Sequence, residues 1–319
     1  MVFRASFDCL WCGAAHAVRS TDDLEGYAQL CPTCIGRAGD NGFLRFRLKA
    51  ALAERASAAL AAATASAVPA TPAAPVPGVS VPSTGESGQS VPGGDLTAEM
   101  IAYYAARAPE YDDWYLRTGR YSRGPVHDLA WNAELDQATL WLDSLPFGGD
   151  IVELAAGTGW WSTLLASKGV LSIYDANEAP LDRARARLVA HGLRAHIHVR
   201  DAWAEPDRAV QALFCGFWLS HVPRARLAQF LGLARRWLTP GGMFAFIDSR
   251  PDPQSGAVDQ PISSETEVSI RRLADGREFE IVKVYWQPDE LEAALRVAGF
   301  RSVEVTTTAR FFILGRATA

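Results

Sequence analysis

A strand, a glycine turn and the start of a helix follow one another at residues 151–167, and this unit constrains the fold more than any other part of the chain. Residues 151–154 form a short apolar run, which is typical of a buried parallel strand. Gly157 and Gly159 follow this run. Glycines permit a tight turn in which the backbone comes close to a ligand. The unit therefore predicts an α/β fold with a ligand at the glycine turn.

A second apolar run at residues 170–174 ends in Asp175, 16 residues after Gly159. An acidic side chain at the carboxyl end of a strand can accept hydrogen bonds from both hydroxyls of a ribose. A dinucleotide-binding turn normally has a third glycine where this chain has Ser162, and the bulky Trp160 and Trp161 would crowd a pyrophosphate. The pattern therefore disfavours NAD as the ligand.

The chain resembles the class I S-adenosylmethionine (SAM)-dependent methyltransferases across residues 96–319. Residues 153–159 resemble the first motif of that family, and Asp175 resembles the acidic residue of the second. Residues 200–203 resemble the loop that contacts adenine in that family. Residues 213–218 resemble its fourth strand, and residues 238–248 resemble its fifth strand with the preceding turn. The resemblance implies a doubly wound, Rossmann-like α/β sheet of seven strands. It also implies that SAM is the cofactor and that a small molecule accepts the methyl group.

The resemblance further implies which residues bind SAM. They lie on the glycine turn, at strand ends and in an aromatic segment before the first strand: Tyr104, Tyr111, Glu153, Ala155, Gly157, Gly159, Asp175, Asn177, Asp201, Ala202, Trp203 and Phe217. Glu153 and the glycine turn are expected to hold the amino-acid end of SAM, and Asp175 its ribose. Helix capping or loop ion pairing is the alternative role for Glu153 and Asp201.

The aromatic segment at residues 103–121 resembles the lid of small-molecule methyltransferases, which excludes water from the reactive methyl group. A helical packing stripe of Tyr104, Tyr111 and Tyr115 is the alternative. His221 directly follows the fourth strand, and ligands of doubly wound sheets bind at the carboxyl ends of strands. A histidine with a pKa near ~6.5 can accept a proton at neutral pH, so His221 is the candidate base. Its alternative role is a hydrogen bond at a helix start.

Lys283 lies in an alternating segment, residues 278–286, which predicts a strand with the lysine on a largely apolar face. We expect Lys283 and Tyr121, with Arg120 and Arg123, to hold an acidic group of the acceptor such as a carboxylate or phosphonate. We expect methyl transfer to an oxygen of the acceptor, including an acidic oxygen. An internal salt bridge of Lys283 is the alternative.

Two Cys-x-x-Cys pairs separated by 18 residues stand near the start of the chain: Cys9, Cys12, Cys31 and Cys34. Two such pairs form a tetrahedral four-thiolate site that suits zinc, and the spacing is typical of a zinc ribbon. Four protein ligands leave no open position, so the zinc should be structural. An iron–sulfur cluster and redox-active thiols are the alternatives.

A composition change divides the chain into three parts. Between Ser66 and Asp95, 11 of 30 residues are Pro or Gly and none is aromatic, so this stretch cannot bury a core. We expect a zinc ribbon and a following helix at residues 1–64, a disordered linker at 65–95 and a methyltransferase domain at 96–319. We expect the ribbon to dock on the catalytic domain or on a protein partner.

Charge and hydropathy exclude some functions. The chain has 31 Lys and Arg against 36 Asp and Glu, a net charge of −5, which disfavours binding of nucleic acid by a basic surface. The Asn/Asp-Pro-Pro-Tyr/Phe motif of nucleobase methyltransferases is absent after the fourth strand. We expect no membrane span and no secretory signal, hence a cytoplasmic location. Two alternatives stay open: an RNA methyltransferase that binds RNA through its zinc ribbon, and a SAM-binding regulatory protein without catalysis.

Overall fold

The computed structural model describes residues 6–8, 15–17, 33, 95–260 and 266–319. Contacts divide the chain into two units, Met1–Gln89 and Ser90–Ala319. In the first unit, strands β1 (Ser6–Asp8) and β2 (Ala15–Ala17) pair in antiparallel fashion. Most of the predicted linker lies outside the described residues. The same holds for the four predicted zinc ligands, Cys9, Cys12, Cys31 and Cys34.

The strands of the second unit form a seven-stranded sheet and a separate hairpin. They are β3 (Asp150–Leu154), β4 (Val170–Asp175), β5 (His196–Val199), β6 (Val210–Gly216), β7 (Leu238–Ser249), β8 (Val268–Arg272), β9 (Glu278–Val282), β10 (Arg301–Thr307) and β11 (Phe312–Thr318). The sheet has the order β10-β11-β7-β6-β3-β4-β5. Strands β3 to β7 run parallel, and β11 runs antiparallel to both β7 and β10. The predicted seven-stranded α/β sheet is confirmed.

Helices cover the sheet and precede it in the chain. They are α1 (Asp95–Arg107), α2 (Tyr111–Leu116), α3 (Pro125–Ser144), α4 (Ser162–Ala166), α5 (Glu178–Ala190), α6 (Leu227–Arg236) and α7 (Pro288–Val297). Helices α4, α5 and α6 alternate with the parallel strands, as right-handed crossovers require. Among the described residues, no helix is long and apolar enough to cross a membrane.

Local sequence explains why these helices begin and end where they do. Helix α6 buries Leu227, Phe230 and Leu231 on one side, and its last turn carries two arginines that interact favourably with the helix dipole. Helix α7 begins with a capping box between Gln287 and Glu290, and a proline occupies its first turn. Each helix therefore presents an apolar side to the sheet and a charged side to water.

The strand order reverses at β3, and this reversal places the site. From β3 the chain first continues outward through β4 and β5, and then returns to the other side of β3 as β6 and β7. Ligands of such sheets bind in the crevice at the carboxyl ends of the strands beside this reversal. Gly159 lets α5 approach the crevice, because its φ is +73° and a Cβ atom there would lie 2.7 Å from the Cβ of Ala184.

Helix α1 and the β8–β9 hairpin pack together in front of the carboxyl ends of the strands. The backbone N–H of Glu280 donates to Glu99 Oε1 at 2.6 Å, and the rings of Tyr103 and Phe279 lie 5.6 Å apart. The strand predicted over residues 278–286 is too long. Strand β9 ends at Val282, because the N–H of Val284 donates to the carbonyl of Ser220 instead of extending the hairpin.

Candidate active site at the carboxyl ends of the strands

Two cavities lie side by side in the crevice. Cavity A encloses about 690 Å³ next to β3, β4 and β6, and cavity B encloses about 590 Å³ between α1, the β8–β9 hairpin and β7. Most of the residues predicted to bind SAM line cavity A: Tyr104, Tyr111, Ala155, Gly157, Asp175, Asn177, Asp201, Ala202, Trp203 and Phe217. The sequence analysis missed Trp218, which also lines cavity A and directly follows a predicted residue.

Asp175 joins the end of β4 to the glycine turn. Its Oδ2 accepts the N–H of Gly157 and its Oδ1 accepts the N–H of Asn177, both at 2.9 Å. The pKa of Asp175 is raised to about 6, mainly by burial; the two amide hydrogen bonds lower it, and the neighbouring Asp201 contributes to the rise. The carboxylate is therefore largely ionised at neutral pH and lines the cavity with its position fixed.

Two residues with strained backbone lie at the edge of cavity A. Ala155 after β3 and Phe217 after β6 have φ of +52° and +57°, in the left-handed region that side chains other than glycine rarely adopt. The N–H of Phe217 donates to the carbonyl of Ile247 at 2.7 Å, which holds this conformation. Strain of this kind costs about 1 kcal/mol or more per residue and is typical of functional sites.

Glu153 and Gly159, which are also predicted to bind SAM, do not line cavity A. Glu153 is only 1% exposed, and its carboxyl group accepts the hydroxyl hydrogen of Ser162. Burial raises the pKa of Glu153 to about 8, so the group is mostly uncharged at neutral pH. Gly159 packs against α5 instead of facing the cavity. Both residues support the glycine turn from behind.

Helix α2 docks the aromatic segment onto the glycine turn. Thr158 Oγ1 donates to Asp112 Oδ1 at 2.6 Å, and Arg187 forms an ion pair with the same carboxylate. The ring of Tyr115 stacks on Trp160 with centroids 4.2 Å apart and an interplanar angle of 2°. The packing interpretation therefore applies to Tyr115, whereas Tyr104 and Tyr111 line cavity A.

Cavity B is cationic. Lys283 and Tyr121, both predicted, line it together with Arg107 and Arg271, which the sequence analysis missed. None of the described residues that line cavity B is a carboxylate. The Nε atom of Arg107 and the Nη1 atom of Arg271 are buried and have no hydrogen-bond partner in the described part of the chain. Such an arrangement attracts an anionic ligand.

Arg120 and Arg123 do not line cavity B, which corrects a second prediction. The guanidinium group of Arg120 pairs with both carboxylate oxygens of Asp259. Arg123 donates to the backbone carbonyl of Ala257 at 2.9 Å, and Arg117 donates to that of Ser255 at the same distance. These arginines hold the loop at residues 252–260, which supplies Ser255, Gly256 and Gln260 to the cavity wall.

His221 lines both cavities and has a defined tautomer. Its Nδ1 lies 2.6 Å from the carbonyl oxygen of Val282, which can only accept, so Nδ1 carries the hydrogen. Its Nε2 therefore accepts the hydroxyl hydrogen of Tyr104 at 2.7 Å. Burial and the nearby Lys283 ammonium hold the pKa of His221 well below its usual value, so the imidazole is neutral. Tyr104 also lines both cavities, and its hydroxyl group can pass a proton to Nε2.

Comparisons with known proteins agree with this geometry. Residues 151–242 match the family model described as a methyltransferase domain. The solved DhpI–SAH complex is 30% identical to the chain with a TM-score of 0.54, and the alignment covers 70% of this chain and 96% of DhpI. The DhpI–SAM–HEP complex is 29% identical with a TM-score of 0.56, and its alignment covers 71% and 99%. None of the curated proteins compared with the chain matches it.

The substitution Glu153→Gln should stabilise the protein at alkaline pH. The folded-state pKa of Glu153 is about 8, whereas its ordinary pKa is 4.5, so the folded state holds this proton more tightly. The free energy of unfolding therefore falls as pH rises from 4.5 to 8, by up to about 1.4 kcal/mol per pH unit from this group. Glutamine cannot ionise, so the free energy of unfolding of the variant should exceed that of wild type most at pH 9 and little at pH 5.

Urea denaturation at pH 5, 7 and 9 measures this difference. The matched control is Glu280→Gln, because the Glu280 side chain is exposed. A stability difference between Glu153→Gln and wild type that does not change with pH would contradict the buried, protonated state of Glu153.

Proposed function

This chain belongs to the class I SAM-dependent methyltransferases, and we propose that it transfers the methyl group of SAM to an oxygen of a small anionic molecule. The observation that carries the proposal is the set of three cationic side chains in cavity B, Arg107, Arg271 and Lys283, beside a cavity suited to SAM.

Cavity A fits SAM in its chemistry. SAM supplies the methyl group as an electrophile bound to a sulfonium. We assign Asp175 to the ribose hydroxyls, because its carboxylate is buried, lines the cavity and lies at the carboxyl end of β4. Asn177 and Asp201 are assigned to the ribose or the adenine, and the backbone at Gly157 to the amino-acid end. The DhpI structure solved with SAM supports a donor site of this kind.

Tyr104 and Tyr111 are assigned to the lid over SAM. Both side chains line cavity A, and a Cβ atom at Gly157 would lie only 3.6 Å from Tyr111 Oη. Ala202, Trp203 and Phe217 complete an apolar wall that excludes water from the methyl group. This assignment makes the aromatic segment part of the donor site as well as part of the core.

Cavity B is assigned to the acceptor. Tyr104, Tyr111, Phe217 and His221 line both cavities, so an acceptor oxygen at this boundary lies next to the donor cavity. The two guanidinium groups and the Lys283 ammonium bind the acidic group, and Tyr121 contributes its hydroxyl. Alignment of the acceptor behind the methyl carbon then follows from the shape of the shared wall.

Tyr104 and His221 are assigned to proton removal. The acceptor hydroxyl gives its hydrogen to Tyr104 Oη while Tyr104 gives its own hydrogen to His221 Nε2. The proton count balances, since the acceptor loses one hydrogen and the imidazole gains one. The Val282 carbonyl stabilises the imidazolium through Nδ1. A bound anion offsets the field of Lys283, which otherwise opposes protonation of His221.

The four cysteines are assigned to a structural zinc ion. Their sequence spacing supports this, and so does the pairing of β1 with β2, which flanks Cys9 and Cys12. Docking of the ribbon on the catalytic domain or on a protein partner stays a prediction.

Purified protein should contain about one zinc per chain, and a variant with both Cys9→Ser and Cys31→Ser should contain none, because each thiolate pair loses a ligand. Elemental analysis by mass spectrometry measures the metal. The control is Cys215→Ala, since Cys215 is buried in β6 and should not affect zinc content. Zinc retained at full occupancy by the double variant would rule out the four-thiolate site.

Asp175→Asn should weaken binding of S-adenosylhomocysteine by about tenfold or more, because a charged acceptor of hydrogen bonds is replaced by a neutral amide. Wild-type affinity should also fall as pH decreases through about 6, where Asp175 gains a proton, whereas the variant should lack this pH dependence. Calorimetry between pH 5 and 8 measures both effects. The control is Asp182→Asn on the exposed side of α5. Unchanged affinity in Asp175→Asn would remove the ribose assignment.

The acceptor proposal is tested by incubation with SAM carrying a ¹³C-labelled methyl group and a metabolite extract separated by anion exchange. Mass spectrometry should find the label in small molecules of the anionic fraction. Arg271→Gln should reduce labelling at least tenfold without changing affinity for S-adenosylhomocysteine, and His221→Asn should slow it at unchanged affinity. The matched control is Arg272→Gln, because the neighbouring Arg272 is exposed and pairs with Glu278. Label found only in neutral compounds or in RNA would overturn the proposal.

A further inference from the structure

Lys283 and Asp248 form a buried pair behind the wall of cavity B. Lys283 is 8% exposed and lines the cavity, whereas Asp248 is 1% exposed and does not. Lys283 Nζ lies 3.9 Å from Asp248 Oδ1, which is longer than a direct hydrogen bond. The pair is therefore close enough for strong charge interaction, but the ammonium group does not donate directly to the carboxylate.

Two serines hold the pair at this distance. Ser220 donates its backbone N–H to Asp248 Oδ2 at 2.8 Å and accepts a Lys283 hydrogen on its hydroxyl at 2.8 Å. Ser249 donates its backbone N–H to Asp248 Oδ1 at 2.7 Å and accepts from Lys283 on its hydroxyl at 3.2 Å. An ammonium group has three hydrogens. The two serines use two of them, and one is left for a ligand in cavity B.

We propose that Asp248 is a positioning residue for anion binding: it keeps Lys283 protonated beside two arginines. The two serines hold the Asp248 carboxylate away from Lys283, so that one ammonium hydrogen stays available for a ligand. The inference rests on the proposed function, since it assumes that cavity B takes an anionic acceptor. It adds a residue that does not touch the ligand and that no sequence motif indicates.

The surroundings of Lys283 make this role necessary. Cationic Arg271 on β8 and Arg107 on α1 face the same cavity. The other ionisable groups on its wall are His221 and five tyrosines, Tyr103, Tyr104, Tyr111, Tyr121 and Tyr285. The pKa of Lys283 is lowered to about 8, mainly by burial; Asp248 raises it, and Arg271 and Arg107 contribute to the lowering. Arginine does not lose its proton in this pH range. Repulsion among the three cations therefore favours loss of a proton from Lys283.

Sulfate is a suitable probe, because its charge does not change between pH 6 and 9. Calorimetry on the full chain saturated with S-adenosylhomocysteine should show wild-type sulfate affinity falling by about tenfold between pH 7 and 9, as Lys283 loses its proton. In Asp248→Asn this loss should begin at least about one pH unit lower, since an opposite charge within a few ångströms shifts a pKa by ~1–3 units.

The two pH limits separate positioning from a structural role. At pH 6 the Asp248→Asn variant should bind sulfate at least as tightly as wild type, because one nearby negative charge is gone. At pH 8 it should bind at least about threefold more weakly. The sulfate affinity of Lys283→Arg should not fall between pH 6 and pH 9. The double variant that also carries Asp248→Asn should show the same absence of pH dependence. Equal weakening of Asp248→Asn at pH 6 and pH 8 would overturn the inference.

The charge of Lys283 can also be followed directly. The chain has only three lysines, Lys49, Lys168 and Lys283, so NMR of ¹³C-labelled lysine should give three resolvable side-chain signals. The signal that disappears in Lys283→Arg should titrate near pH 8 in wild type and at least about one unit lower in Asp248→Asn. An unchanged titration in the variant would overturn the inference. If the titration shifts but sulfate does not bind, the anionic acceptor is wrong and the role of Asp248 in charging Lys283 stands.

Discussion

The parallel alignment of β3, β4 and β6 is the constraint on which the rest of the site depends. It brings the carboxyl ends of three strands to one edge of the sheet, where ligands of such sheets bind. The glycine turn, Asp175 and the segment from Phe217 to His221 all follow these strand ends. The hydrogen bonds from Gly157 and Asn177 to Asp175 then fix two of the strand ends relative to each other.

Much of this arrangement could be predicted from the sequence, because it depends on local patterns. Apolar runs identify β3 and β4, and the glycine turn and Asp175 follow them directly. Arg107 and Arg271 were missed, because only the packing of α1 against the β8–β9 hairpin brings them together. Arg120 and Arg123 were assigned to the acceptor because they neighbour Tyr121 in sequence, and sequence proximity does not give side-chain direction. Lys283 lies 3.9 Å from Asp248, as the salt-bridge alternative predicts, and it also lines cavity B, so its role toward the acceptor stays a prediction.

Three cations in one cavity are tolerated because aromatic rings and buried polar groups surround them. Arg107 lies 4.6 Å from the ring centroid of Tyr111, a cation–π contact that stabilises a guanidinium without neutralising it. The hydroxyl groups of the two serines and the carboxylate of Asp248 stabilise the ammonium group of Lys283. The positive field therefore persists in the absence of a ligand and is available when one arrives. In a site preorganised in this way, binding has a smaller conformational-entropy cost, because the side chains are already ordered.

The middle of the loop at residues 252–260 is anchored by its main chain. Arg117 and Arg123 donate to the backbone carbonyls of Ser255 and Ala257, which every residue type possesses, so this anchor does not depend on the side chains at those positions. Asp252 and Asp259 fix the two ends through ion pairs with Arg310 and Arg120. The Ser255 side chain can therefore be exchanged during evolution while the wall keeps its position. Related enzymes with the same arginines could thus accept differently shaped molecules, and divergence of substrate range within such a lineage would be concentrated in this one loop.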